Sequence, residues 1–158
     1  MSGLPVAELY EWLLFGHIVA AMAWVGGGLL LGVLATQVVR GGDADAVARF
    51  VASLRRIGPL VLAPSTIAVI GLGVWMVLDS AAWDFGQTWV LLALALFAAA
   101  VVIGAGHQGR TAINAQRAID RDDYTEARRQ LARWTLGYGV VVSLLLVIAW
   151  DMVFKPGL

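Results

Sequence analysis

Few residues in this sequence have the type and the setting to do chemistry. His17 stands out because it lies inside LLFGHIVAAMAWVGGGLLLGVLATQVV (13–39), 27 residues without a charged side chain. Ionisable residues in such runs are rare, and they generally face a bundle interior or a cavity. Trp24 follows seven residues later, so both side chains can share one helical face. The residues leave three readings of His17 open: a neutral imidazole bonded to a neighbouring helix, a ligand for haem or a metal, and a proton relay. His107 is the other histidine, and depth argues against it as a second axial ligand. It closes a later apolar run at the opposite end, roughly 12 residues away in depth, or about 18 Å at 1.5 Å per residue. Met76 and Met152 are better matched in level to His17, with Asp79 and Asp151 near them. A His/Met pair suits b-type haem. An imidazole with thioethers also suits copper. The plainer reading is that methionines in an apolar chain are packing residues.

These side chains must be positioned by membrane-spanning helices. The chain has 158 residues, 60% hydrophobic and 14% charged, with mean hydropathy +0.81. Soluble domains carry about 25% charged residues. A bilayer core needs about 20 apolar residues per helix, and four stretches qualify, at about 13–39, 60–78, 89–106 and 134–154. The expected fold is all-α, one integral membrane domain over 1–158, built as a four-transmembrane-helix antiparallel bundle. Between the first two spans, Val47, Phe50, Val51 and Leu54 recur at helical spacing. They predict a short amphipathic cytoplasmic helix lying on the membrane surface, capped by Asp43 and broken by Gly58-Pro59. The helices of spans three and four extend into the same compartment, and Asp123-Tyr-Thr-Glu126 fits a capping box opening the last one.

Charge placement sets the expected orientation. All ten arginines lie between spans one and two (Arg40, Arg49, Arg55, Arg56) or between spans three and four (Arg110, Arg117, Arg121, Arg128, Arg129, Arg133). The connection between spans two and three has only Asp79 and Asp84. The positive-inside rule then puts both long connections in the cytoplasm and both termini outside. Pro5, Glu8 and Glu11 form a short acidic N-terminal tail without Lys or Arg, so the first span is expected to be retained. Trp12, Trp75, Trp83, Trp89 and Trp150 fall near the outer interface and Trp134 near the inner one.

Composition also removes function classes. With no cysteine there is no disulfide, thiolate metal site or iron–sulfur cluster. No phosphate-cradling loop, catalytic serine with its base, or paired intramembrane carboxylates are present, and no nucleic-acid binding is expected. The bilayer is the expected partner. Gly28-x-x-x-Gly32 is a small-residue pattern that lets helices approach closely, inside the monomer or in a homo-oligomer or partner subunit.

The run from Trp12 through His17 and Trp24 to Gly28 resembles the first span of a bacterial family, the integral membrane proteins of domain of unknown function 2269. The likeness continues through Pro64, Gly71, Gly73, Trp83 and Trp89. The same His-x6-Trp-x-Gly pattern is similar to copper-resistance D proteins and to the bacterial membrane protoporphyrinogen oxidase. In that oxidase family the first-span histidine is associated with b-type haem, which implies His17 alone as a ligand candidate. The oxidase's charged intramembrane residues are missing here, so its activity does not carry over. The resemblance implies a multi-pass protein of the bacterial cytoplasmic (inner) membrane.

The expectation is a small redox or ligand-binding membrane protein, with haem b held near the outer leaflet by His17 and Met76, or copper held there by His17, Met76 and Met152. The rival readings are a cofactor-free accessory subunit packing through span one, and a component passing copper or a small solute. Thr36, Gln37, Ser65, Thr66 and Ser143 are the few polar residues for such a path.

Overall fold

The computed structural model describes residues 6–157; Pro5 of the acidic tail lies outside them. Six α-helices follow one another: α1 (Val6–Gly41), α2 (Ala44–Ile57), α3 (Ala63–Asp79), α4 (Thr88–Val102), α5 (Gly109–Ile119) and α6 (Tyr124–Phe154). Four continuous helical stretches are long and apolar enough to cross a bilayer. The fold is an all-α bundle of these four. α1 has 36 residues, or about 54 Å at 1.5 Å each, so it projects beyond an apolar core of about 30 Å.

Gly58-Pro59 does not break the chain as the sequence suggests. A π-helical turn, Gly58–Leu62, joins α2 to α3. Proline lacks an N–H, so it fits where the regular hydrogen-bond ladder is already interrupted. Ala63 N–H donates to the Gly58 carbonyl five residues back, the bond that makes the turn π-helical. A second π-helical turn, Ile103–Gln108, joins α4 to α5.

α1 packs against α3 on one side and α6 on the other, and α6 packs against α4 and α5. α3 and α4 are consecutive spans joined by a short loop, yet they do not pack on each other. The bundle is therefore an open series, α3–α1–α6–α4, with a gap between its two ends. Large apolar side chains such as Phe15, Met22, Leu30, Trp75 and Val102 cover the outside, as a lipid-facing surface requires.

Two apolar clusters form the core. At the arginine-rich end, the buried face of α2 (Val47, Phe50, Val51, Leu54) packs with Leu31, Leu131 and Trp134. The apolar face predicted to rest on the membrane surface is thus enclosed by the bundle. Trp134 is likewise a core residue, 3% exposed, stacked on Tyr138 at 5.3 Å and edge-on to Phe50 at 6.5 Å. Its ring serves packing where the sequence pointed to an interfacial anchor.

Asp43 caps α2 by accepting from Asp45 N–H, and Asp123 caps α6 by accepting from Glu126 N–H. Only half of the expected capping box forms. Glu126 turns instead to Arg129 and Gln130, and Asp123 N–H donates to the Ala118 carbonyl. Arg128 Nε reaches 2.7 Å to the Val39 carbonyl, satisfying one acceptor in the last turn of α1.

The glycines of span one meet span four. A Cβ on Gly28 would overlap the Tyr138 hydroxyl and ring, and one on Gly32 would touch the same ring at 3.6 Å. Tyr138 thus fills a notch in α1, its hydroxyl 3.5 Å from the Trp24 carbonyl. Gly26 faces outward with no neighbour within 4 Å.

Candidate functional site

At the end of the bundle away from the arginines lies a cavity of about 270 Å³. All four spans and the loop between α3 and α4 contribute to its wall. The open packing of α3 and α4 accounts for the space, because no helix–helix contact closes that side. The wall is almost wholly apolar. Among its polar members are His17, Tyr10 and Lys155.

His17 is 7% exposed, and its setting follows from the sequence of α3. Its Nδ1 lies 2.9 Å from the Val69 carbonyl oxygen. That oxygen can only accept, so Nδ1 carries the proton and donates, leaving the Nε2 lone pair for another partner. Gly73 stands one turn beyond Val69, and a Cβ there would lie 3.2 Å from His17 Cε1 and 3.5 Å from Nδ1. The missing side chain gives the imidazole access to the carbonyl. A carbonyl bond at one ring nitrogen is the arrangement that orients metal-ligating histidines through the other.

Met76 from α3 and Met152 from α6 line the same cavity as His17. The carboxylates do not join them. Asp79 lines a separate shallow pocket beside Trp75, with one oxygen buried and unpartnered. Asp151 is fully buried and outside the cavity wall, and neither carboxylate oxygen has a hydrogen-bond partner among the described residues. No cluster of three or more His, Cys, Asp or Glu suited to a metal ion occurs among the described residues. A metal here would depend on imidazole and thioether donors.

Aromatic side chains close the two ends. Trp24 meets Phe97 edge-on at 5.5 Å, linking α1 to α4 across the space. At the other end Trp83 and Trp89 meet at 5.3 Å, nearly perpendicular. Both indole N–H groups are occupied, Trp83 by the Tyr10 hydroxyl at 3.3 Å and Trp89 by Gln87 Oε1 at 3.0 Å. Lys155 Nζ lies 5.1 Å from the Trp83 ring centroid and 5.7 Å from that of Trp89.

His107 belongs elsewhere. Its Nε2 lies 3.3 Å from the Arg133 carbonyl, and its ring fills the space beside Gly137. It does not line the cavity. Three of the four hydroxyls expected on a polar path turn onto their own helices: Thr36 to the Gly32 carbonyl, Thr66 to Leu62 and Ser143 to Gly139. Such back-bonding satisfies a hydroxyl within its helix.

Residues whose roles the sequence did not indicate are Val69, Gly73, Tyr10 and Lys155. Gly73 entered with Gly71 through the family resemblance, and only Gly73 receives a side chain; nothing lies within 4 Å of a Cβ on Gly71.

The family described as "Predicted integral membrane protein (DUF2269)" matches residues 11–156. The chain belongs to that family. Comparisons with curated proteins and with solved structures find no match.

Proposed function

We propose that this protein is a ligand-binding membrane protein of redox type, seating a b-type haem or copper on His17 in the cavity at the arginine-poor end. The observation that carries this reading is the His17–Val69 hydrogen bond. It commits one ring nitrogen to the fold and leaves the other as a donor, at the wall shared with Met76 and Met152.

The residues fit haem in three respects: an oriented imidazole, thioethers on other spans, and an apolar aromatic wall with one ammonium at its edge. At about 270 Å³, the cavity is slightly below the usual 300–1,000 Å³ for organic ligands, although the unpacked gap between α3 and α4 leaves one side open. Copper is the second reading, favoured by one imidazole with two thioethers, a soft donor set that needs no such volume. Bound at His17, either group would supply one-electron chemistry. The chain's own contributions are to orient the imidazole through Val69 and Gly73, to exclude water with Trp24, Phe97 and Trp89, and to offer Met76 and Met152 as further donors.

The positive-inside rule orients the cavity toward the outer leaflet. Absorbance spectroscopy and metal analysis of the protein purified in mild detergent, beside His17→Ala, test the reading. A Soret band, or copper at near-stoichiometric level, lost in the variant supports it. Absence of both from the folded wild type refutes it.

A further inference from the structure

We propose that the cavity takes an amphiphile with a carboxylate head and an apolar body, which enters from the lipid between α3 and α4 and sets its head on Lys155. The proposal rests on the reading that this cavity holds a ligand, and it names the ligand's chemical class.

Lys155 is the one lysine of the chain, and every arginine lies in the connections at the other end. It ends α6 in a left-handed conformation, φ 43, which turns the chain out of the helix. Gly157 then lies against Thr88 at the start of α4, where a Cβ would sit 3.1 Å from Thr88 Cβ and Oγ1. This turn holds Lys155 at the cavity edge over the faces of Trp83 and Trp89. Among the described residues no carboxylate forms an ion pair with it. The nearest acid in its own helix, Asp151, lies outside the cavity wall. An ammonium that has aromatic faces but no anion among the described residues, beside an otherwise apolar chamber, matches a ligand with one acidic end.

The route follows from the packing. α1 lies between α3 and α6, and α6 lies between α1 and α4. Among neighbouring spans, only α3 and α4 lack a close backbone approach, so this is the side on which the chamber would open to acyl chains. A molecule dissolved in the bilayer can reach it without crossing water. Two sources share this chemistry, a long-chain fatty acid and the propionate edge of a porphyrin.

The full-length protein in nanodiscs is titrated with dibrominated stearate and, separately, with its methyl ester, following tryptophan fluorescence. Bromine quenches indole on contact, and Trp24, Trp83 and Trp89 line the cavity. The expected result is a saturable component with the acid that is weakened about tenfold or more for the ester and for Lys155→Met. Lys155→Arg retains it, and Ala93→Phe, which fills the chamber, loses it. Haemin as competitor separates the sources: displacement at lower mole fraction assigns a porphyrin carboxylate, and no displacement assigns an acyl one. Equal binding of acid and ester, unchanged binding in Lys155→Met, or no saturable component overturns the inference. If that failure accompanies a haem or copper signal dependent on His17, the reading above stands. If stearate binds but no such signal exists, the His17 reading falls alone.

Discussion

Replacing Gly28 by alanine puts a methyl group where the Tyr138 hydroxyl and ring now sit. Gly28 is buried in α1 and Tyr138 is 3% exposed in α6, so neither backbone can yield without separating two spans. The tyrosine ring must leave its notch. Overpacking costs about 1–3 kcal/mol. The displaced hydroxyl loses its contact with the Trp24 carbonyl, worth about 1 kcal/mol. The stack on Trp134 adds about 0.5–1.5 kcal/mol. Gly28→Ala is therefore expected to destabilise by about 2.5–4 kcal/mol, with partial relaxation holding the sum below its upper limit. Gly26→Ala, with nothing within 4 Å, should stay within about 0.5 kcal/mol of wild type. Unfolding in detergent of Gly28→Ala, Tyr138→Leu and the double variant measures the coupling. Once the ring is gone, the added methyl should cost under about 1 kcal/mol. The reasoning is refuted if Gly28→Ala is neutral, or if it costs as much in the Tyr138→Leu background as alone.

Gly73→Ala crowds the His17 ring at 3.2 Å and should weaken ligand retention about tenfold, as losses of orienting contacts do; retention measured by dialysis and unchanged from wild type would contradict this. Phe50→Ala removes a buried ring between α2 and Trp134 and should cost about 3–5 kcal/mol. If thermal unfolding shows a cost below about 1 kcal/mol, α2 rests on the membrane and not on the bundle. Asp151→Asn should leave the unfolding midpoint unchanged or raise it, since the buried carboxyl has no partner among the described residues and a charge there is costly. A clear drop would reveal a partner that the structure does not show. The chain has no cysteine, so single cysteines at Ala81 and Arg121 report orientation. Impermeant thiol reagent on intact cells should label Ala81→Cys and spare Arg121→Cys; the reverse pattern inverts the topology.

The spans were legible because a run such as 13–39 has a single solvent that suits it. The caps at Asp43 and Asp123 were legible because they act within one turn. What the sequence could not supply was the facing of each helix. Hydropathy is nearly uniform around a membrane helix, so Tyr138 opposite Gly28 had no periodic signal to announce it; depth alone linked Met76 and Met152 to His17, without telling which face each takes. The amphipathic pattern of α2 was plain, but a lipid surface and a protein groove ask for the same apolar stripe. Pro59 was read as a stop because proline usually is one; here the π-helical turn already lacks the bond that proline cannot donate. The gap between α3 and α4 is a property of the assembled bundle, to which the sequence of neither helix points. Lys155 belongs to no motif, and only the fold places it over Trp83 and Trp89.

The central claim is that His17 Nε2 holds a ligand in the cavity. The most direct measurement is the absorbance spectrum and metal content of the purified protein, taken alongside those of a folded His17→Ala variant. The account predicts a Soret band or near-stoichiometric copper in the wild type and neither in the variant. A wild-type protein with no band and no metal, or a signal that survives His17→Ala, would contradict it and leave the imidazole as a helix-packing group bonded to Val69.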